Sequence, residues 1–161
     1  MAETGVVNAS PLIYLSRAGV LGLLRLSGDE ILVPDVVANE IRARGPADPT
    51  VVALAATAWL KAVKAPTTPP AILAWDLGPG ESSVLAIAQA RPGCRAVIDD
   101  LQGRRCAEAL GVPLRGTLGL VLRAKRDGII PAARPVLDRL RAAGMFLSDT
   151  VLNRALATIG E

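Results

Sequence analysis

One short stretch constrains the fold more than any other, and it runs from Arg95 to Arg105. The apolar residues 96–98 stop at two adjacent acids, Asp99 and Asp100, and the residues after them follow a helical pattern. Such a run indicates a buried strand whose carboxyl end opens into a crevice. Neighbouring carboxylates raise each other's pKa unless a cation or a basic side chain offsets their charge. The stretch therefore predicts an α/β fold with a divalent metal or arginine contacts at this strand end.

The composition agrees with one domain built on a small sheet. Hydrophobic residues make up 51% of the chain and aromatic residues only 2%, so Ala, Val, Leu and Ile must form the core. Helices that cover a small sheet bury such residues well. No apolar run reaches the ~18 residues of a membrane span, and the first residues lack signal-peptide features. We therefore expect a single domain over residues 1–161 and a soluble, cytoplasmic protein without a membrane contact.

The chain of 161 residues contains no histidine. Its absence excludes Ser-His and Cys-His nucleophile pairs and His-ligated zinc. The only cysteines, Cys94 and Cys106, do not predict a disulfide framework or a zinc site. Catalysis must therefore depend on carboxylates, hydroxyls, lysines or a bound ion. The net charge of +3 is compatible with a polyanionic partner such as RNA.

Short strands and helices alternate along the sequence. The pattern predicts strands at residues 5–7, 30–33, 59–65, 97–98 and 112–115, and a loop at residues 66–70. Ser10 before Pro11 predicts a helix start with serine at the N-cap. Asp35 predicts a helix that it caps, and Asp48 before Pro49 predicts a further helix start. Two helices are predicted near the C-terminus, over 134–143 and 150–158, and the sequence leaves open whether they cover the sheet or form a dimer surface.

Polar residues stand at several strand ends and helix starts, and each has a local explanation. Asn8 is a common turn residue, Glu81 suits the positive end of a helix dipole, and Asp100 suits an N-cap. Glu40 lies beside the apolar stripe of its helix, as a boundary or a site residue. Together with Asp99, however, they would gather along one edge of a parallel sheet. Oxygen ligands without His or Cys favour Mg²⁺ or Mn²⁺, and such ions support phosphodiester cleavage.

The same motifs resemble those of PIN domains, and within them the branch that begins Asn-x-Ser-Pro-Leu-Ile. The matching segments are 7–13, 33–34 followed by Glu40, 80–81, 98–105, 116–119 and 147–161. The resemblance implies a three-layer α/β/α sandwich around a small, mostly parallel sheet. It also implies a Mg²⁺- or Mn²⁺-dependent ribonuclease that cleaves single-stranded RNA. Many relatives are VapC-type toxins of bacterial toxin–antitoxin pairs, usually homodimers that a small antitoxin protein neutralises.

The resemblance also assigns roles to individual residues. The four acidic positions of the family fall on Asn8, Glu40, Glu81 and on Asp99 or Asp100, the predicted metal ligands and, apart from Asn8, the predicted catalytic residues. Asparagine at the first position removes one negative charge, glutamate at the third lengthens the ligand, and Asp100 is hypothesised to compensate as an extra acid. The predicted substrate contacts, which the resemblance does not assign, are Ser10, Arg104, Arg105, Arg115 and Thr117. The alternatives are a solvated helix face for the arginines and a local cap for Thr117.

Three functional hypotheses remain open from the sequence. The first is the metal-dependent ribonuclease, which would bind RNA mostly by electrostatic, salt-sensitive contacts because aromatic residues are scarce. The second is a catalytically weakened PIN-like module that binds RNA or a partner protein, and Asn8 favours it. The third is a small-molecule site at the same strand ends, although the sequence contains no glycine-rich phosphate loop.

Overall fold

A five-stranded sheet forms the centre of the protein. The structure, a computed structural model, describes residues 3–161. The strands lie in the order β3-β2-β1-β4-β5, and every neighbouring pair is parallel. The entirely parallel sheet confirms the predicted α/β class. The strands are β1 (Thr4–Val7), β2 (Glu30–Pro34), β3 (Leu60–Val63), β4 (Arg95–Val97) and β5 (Leu114–Arg115).

Helices cover both faces of this sheet. The helices are α1 (Ala9–Arg17), a 3₁₀ helix (Leu21–Ser27), α2 (Asp35–Arg42), α3 (Pro49–Ala56), α4 (Pro70–Leu73), α5 (Pro79–Ala90), α6 (Leu101–Ala109), α7 (Thr117–Arg126), α8 (Arg134–Ala142) and α9 (Asp149–Ala157). One apolar cluster joins the sheet to α1, α2, α3, α7, α8, α9 and the 3₁₀ helix, and a second joins it to α4, α5 and α6. The two clusters confirm the predicted α/β/α sandwich.

The strands are apolar on both faces because both faces are covered. Along β1, Val6 belongs to the cluster with α5 and α6, whereas Val7 belongs to the cluster on the opposite face. Leu32 and Val33 in β2 divide in the same way. Successive side chains of a strand point to opposite faces, so a strand between two helical layers needs apolar residues at every position.

Most local signals in the sequence act as predicted, and three predictions are wrong. The side chains of Asp48 and Ser148 cap α3 and α9. Ser10, however, does not start α1, since the helix begins at Ala9 and Asn8 occupies the N-cap. Asp35 does not cap α2, since it is the first residue of that helix and Pro34 occupies the N-cap. Residues 66–70 are not entirely loop, because Pro70 begins α4.

The C-terminal helices pack on the sheet. Their apolar side chains are buried in the same cluster as those of α1 and β1, among them Leu137 of α8 and Leu156 of α9. The carboxylate of Glu161 accepts backbone N–H bonds from Ala133 (2.7 Å) and Arg134 (3.1 Å) at the start of α8. These bonds lower the pKa of Glu161 below its ordinary value. The end of the chain is thereby tied to the beginning of α8.

Two further sequence expectations concern cysteines and membranes. Cys94 and Cys106 are both free and buried, and burial raises the pKa of both thiols. Over residues 3–161, no helix combines the length and the apolar character that a bilayer crossing demands.

Candidate active site

The candidate side chains lie where the order of the sheet reverses. From β1 the chain moves outward to β2 and β3 on one side, and then crosses to β4 and β5 on the other. Asn8 directly follows β1, and Asp99 and Asp100 follow β4 after a single residue. Ligands of open α/β sheets bind in the crevice at this switch point, outside the carboxyl ends of the strands. The topology therefore brings these residues to the edge of the sheet that most often binds ligands.

Glu81, Asp99 and Asp100 line one open hollow of about 450 Å³, which we call the acidic hollow. Ser10 and Arg104 line it too, so five of the residues predicted from the sequence come together here. The rest of the lining is mostly apolar and consists of Tyr14, Leu118, Met145, Phe146, Leu147 and Val151. The acidic hollow thus has a charged wall and an apolar wall.

Asn8 forms a hydrogen bond with Glu81. The Asn8 side chain is 5% exposed, and its Nδ2 donates to Oε1 of Glu81 at 3.1 Å, a bond that joins residues 73 positions apart. Two glycines leave room for this pair. A Cβ on Gly80 would lie 2.7 Å from Oδ1 of Asn8, and a Cβ on Gly78 would lie 2.7 Å from Oε2 of Glu81. The Asn8 amide therefore orients Glu81 and does not cap its own helix.

Asp99 is fixed by the first residue of α7. Its Oδ1 accepts from the backbone N–H of Thr117 at 2.7 Å, and its Oδ2 accepts from the Thr117 hydroxyl at 2.6 Å. Thr117 is fully buried and does not line the acidic hollow. A Cβ on Gly116 would lie 3.2 Å from Oδ1 of Asp99, so glycine here leaves space for the carboxylate. Thr117 contacts the predicted acid directly, which makes it a positioning residue.

Asp100 caps a helix and also lines the acidic hollow. Its Oδ2 accepts from the backbone N–H of Gly103 at 3.0 Å and so caps α6, as its local explanation predicted. The side chain is exposed and also lines the acidic hollow. A carboxylate has two oxygens with two lone pairs each, so capping leaves further acceptor sites.

Glu40 lies apart from Asp99 and Asp100. It is exposed on α2 and lines a neighbouring hollow of about 660 Å³, which Asn8, Ser10 and Glu81 also line. Glu81 therefore stands between the two hollows. The predicted acids are therefore divided between two neighbouring hollows that share Ser10 and Glu81.

Two of the predicted arginines lie outside the acidic hollow. Arg105 is exposed on α6. Arg115 is the last residue of β5, and its buried Nη1 has no hydrogen-bond partner within residues 3–161. Burial, together with the nearby charges of Arg95 and Arg123, lowers the pKa of Arg115 below its usual value.

Sequence reasoning missed the apolar wall of the acidic hollow. This wall comes from α1, from the first turns of α7 and α9, and from the turn between α8 and α9, and most of it is far from the acids in sequence. A signal was present in Met145-Phe146-Leu147, an apolar run between Gly144 and Ser148, where a solvated turn would be polar. Phe146 is 91% exposed.

Comparison with known families identifies the fold. A family model described as PIN domain matches residues 4–161. The chain belongs to the PIN domain family. PIN domains are a nuclease-type family that generally depends on divalent metals, and membership points to nucleic acid as the partner. A search of curated proteins finds no match.

The residues of this PIN domain fit a hard divalent ion by their chemistry. Glu81, Asp99 and Asp100 offer only oxygen donors, which Mg²⁺ and Mn²⁺ prefer. The glycines at 78, 80 and 116 keep the space beside the site oxygens open. In the arrangement of residues 3–161, however, no three His, Cys, Asp or Glu side chains are close enough to hold one ion. Shared coordination therefore requires the carboxylates to rotate toward one another.

Proposed function

We propose that this PIN domain is a Mg²⁺- or Mn²⁺-dependent endoribonuclease that cleaves single-stranded RNA. The observation that carries the proposal is the acidic hollow, in which Glu81, Asp99, Asp100 and Arg104 meet at the switch point of the sheet. The three carboxylates would hold the metal. A divalent ion bound there supplies an activated water and stabilises the leaving oxygen of a phosphodiester.

The protein's own side chains would position the reacting groups. Asn8 and Thr117 set the orientations of Glu81 and Asp99 through the bonds described above. Arg104, exposed at the rim of the acidic hollow, would neutralise a phosphate of the RNA. Glu40 would add negative charge on the far side of Glu81. Arg105 and Arg115 lie outside the hollow, so they would contact RNA phosphates farther from the cleaved bond.

A cleavage assay tests the function directly. Purified protein is incubated with labelled single-stranded RNA in Mg²⁺, in Mn²⁺ and in EDTA, beside a fully paired duplex of the same sequence. We expect cleavage of the single strand with either metal, little cleavage of the duplex, and none in EDTA. Cleavage that persists in EDTA, or no cleavage under any of these conditions, would contradict the proposal.

A second candidate function is favoured by one observation. Asn8 is neutral, and its amide donates a hydrogen bond to Glu81. The site therefore has one negative charge fewer than it would have with an acid at this position. A PIN domain weakened in this way would bind RNA or a partner protein without cleaving it. Binding of RNA in Mn²⁺ with no product would support this alternative.

The opening motif from Asn8 to Ile13 supports a narrower role for the nuclease, as a homodimeric toxin that a small antitoxin protein neutralises.

Replacing Asn8 with aspartate is expected to lower stability in EDTA and to increase the response to Mn²⁺. The variant loses the hydrogen bond to Glu81 and sets a second carboxylate about 3.1 Å from it. Loss of a buried hydrogen bond costs about 1–3 kcal/mol, and like charges at this distance add to the cost. A divalent ion would offset the new charge. Thermal unfolding in EDTA and in MnCl₂ measures both effects.

The matched control for this variant is Asn153→Asp, which makes the same change at an exposed position of α9. We expect the control to unfold like the wild type in both buffers. The idea that Asn8 governs the charge of a metal site would be contradicted by two results together. These are a wild-type unfolding temperature of Asn8→Asp in EDTA, and a rise of that temperature in Mn²⁺ no larger than the rise of the wild type.

A further inference from the structure

The apolar wall of the acidic hollow contains two aromatic rings. Tyr14 of α1 and Phe146 of the α8–α9 turn line the same hollow as Glu81 and Asp99. Phe146 is the only phenylalanine and Tyr14 the only tyrosine of the chain. Phe146 is 91% exposed, so the core gains almost nothing from it. A large aromatic side chain held in water beside charged groups is typical of a binding surface.

A third aromatic residue borders the same acids from another side. Trp75 lines a hollow of about 620 Å³ together with Glu81 and Asp100. The remaining aromatic residue, Trp59, is partly buried against the core cluster. The Arg25 guanidinium lies 5.7 Å from the centroid of the Trp59 ring. Three of the four aromatic residues therefore border hollows that Glu81 lines. This distribution would give base stacking a larger part in RNA binding than the scarcity of aromatic residues predicted.

We propose that Tyr14 and Phe146 form a nucleobase-binding subsite beside the carboxylates. The inference rests on the proposed function, because it assigns the base next to the phosphate that the acidic hollow would receive. A nucleotide joins a flat base with apolar faces to an anionic phosphate. The hollow offers a partner for each part, because the aromatic rings suit the base and Arg104 suits the phosphate.

A nucleobase fits these observations better than a protein side chain does. The aromatic rings share one open cavity with the acids, so their occupant also contacts the charged wall. Arg104 on that wall suits a phosphate, and the chain carries a net charge of +3, which attracts a polyanion. Stacking on an aromatic ring is tolerant of sequence because every base has a π-face. The subsite would therefore favour unpaired RNA over duplex RNA, in which the bases are already stacked.

Binding measurements that do not depend on cleavage test the subsite. The probes are a fluorescein-labelled short oligouridylate and a matched abasic oligomer with the same ribose-phosphate backbone, and fluorescence anisotropy is measured in EDTA. We expect wild-type protein to bind the oligouridylate more tightly. Phe146→Ala should weaken binding of the oligouridylate by about 5- to 100-fold and leave the abasic oligomer unchanged. Phe146→Trp should retain the preference, since it keeps an aromatic face.

The control variant is Leu73→Ala, which removes another exposed apolar side chain, 61% exposed on α4. It should bind both oligomers as the wild type does. A wild type that binds both oligomers equally or neither, or a Phe146→Ala variant that weakens both equally or has no effect, would overturn the proposal. Equal weakening of both oligomers would mean that Phe146 contacts the ribose-phosphate backbone instead of a base. Because binding is measured in EDTA, a failure of metal-dependent cleavage would leave this result unaffected.

Discussion

Replacing Asp99 with asparagine is expected to lower metal-dependent RNA cleavage by at least about 100-fold, the order of effect seen when one charge-stabilising group is removed from an active site. Asp99 contributes one of the three carboxylates of the acidic hollow. Removing its charge would weaken metal binding, and without the metal the negative charge that develops in the transition state would lose its stabilisation. The cleavage rate in Mn²⁺ and the Mn²⁺ affinity from calorimetry should both fall.

Asparagine is the right substitution because it preserves the local structure. Its Oδ1 can accept from the Thr117 N–H, as Oδ1 of Asp99 does at 2.7 Å, and its Nδ2 can donate to the Thr117 hydroxyl oxygen. The unfolding temperature should therefore stay close to that of the wild type. Asp138→Asn, at an exposed position of α8, is the matched control and should cleave normally. Wild-type cleavage by Asp99→Asn would remove Asp99 from the catalytic machinery.

The second large effect concerns stability. Leu137→Ala should lower the free energy of unfolding by about 2–5 kcal/mol, because Leu137 is fully buried between α8 and the core on that face of the sheet. For a chain of this size, the unfolding temperature should fall by roughly 4–20 °C. Chemical and thermal denaturation measure the change.

The same variant tests the packing of the C-terminal helices on the sheet. If α8 and α9 cover the sheet, Leu137→Ala destabilises the protein without changing its oligomeric state. If they formed a dimer surface, the main effect would be dissociation, which size-exclusion chromatography detects. Leu73→Ala deletes an exposed leucine and should change the free energy of unfolding by no more than about 0.5 kcal/mol. Equal effects of the two variants would contradict the packing described for α8.

The sequence by itself determined the parts of this protein that depend on near neighbours. The apolar run before Asp99 predicts β4, Asp48 predicts the start of α3, and the pattern of residues 59–65 predicts β3. These signals act over a few residues, because capping and the alternation of side chains are properties of local backbone geometry. The PIN resemblance is also a matter of ordered local motifs, and the family match confirms it.

Only the tertiary structure decided which of the candidate side chains contact one another. Asn8 had a local explanation as a turn residue, yet its amide is bonded to Glu81, and Glu40 lies in a different hollow from Asp99. Phe146 had no predicted role, and it lies in the same hollow as Asp99. These outcomes depend on the order of the strands and on how the helices pack against them. Packing joins residues that are far apart in the chain, so the pattern around any one of them carries little information about its partners.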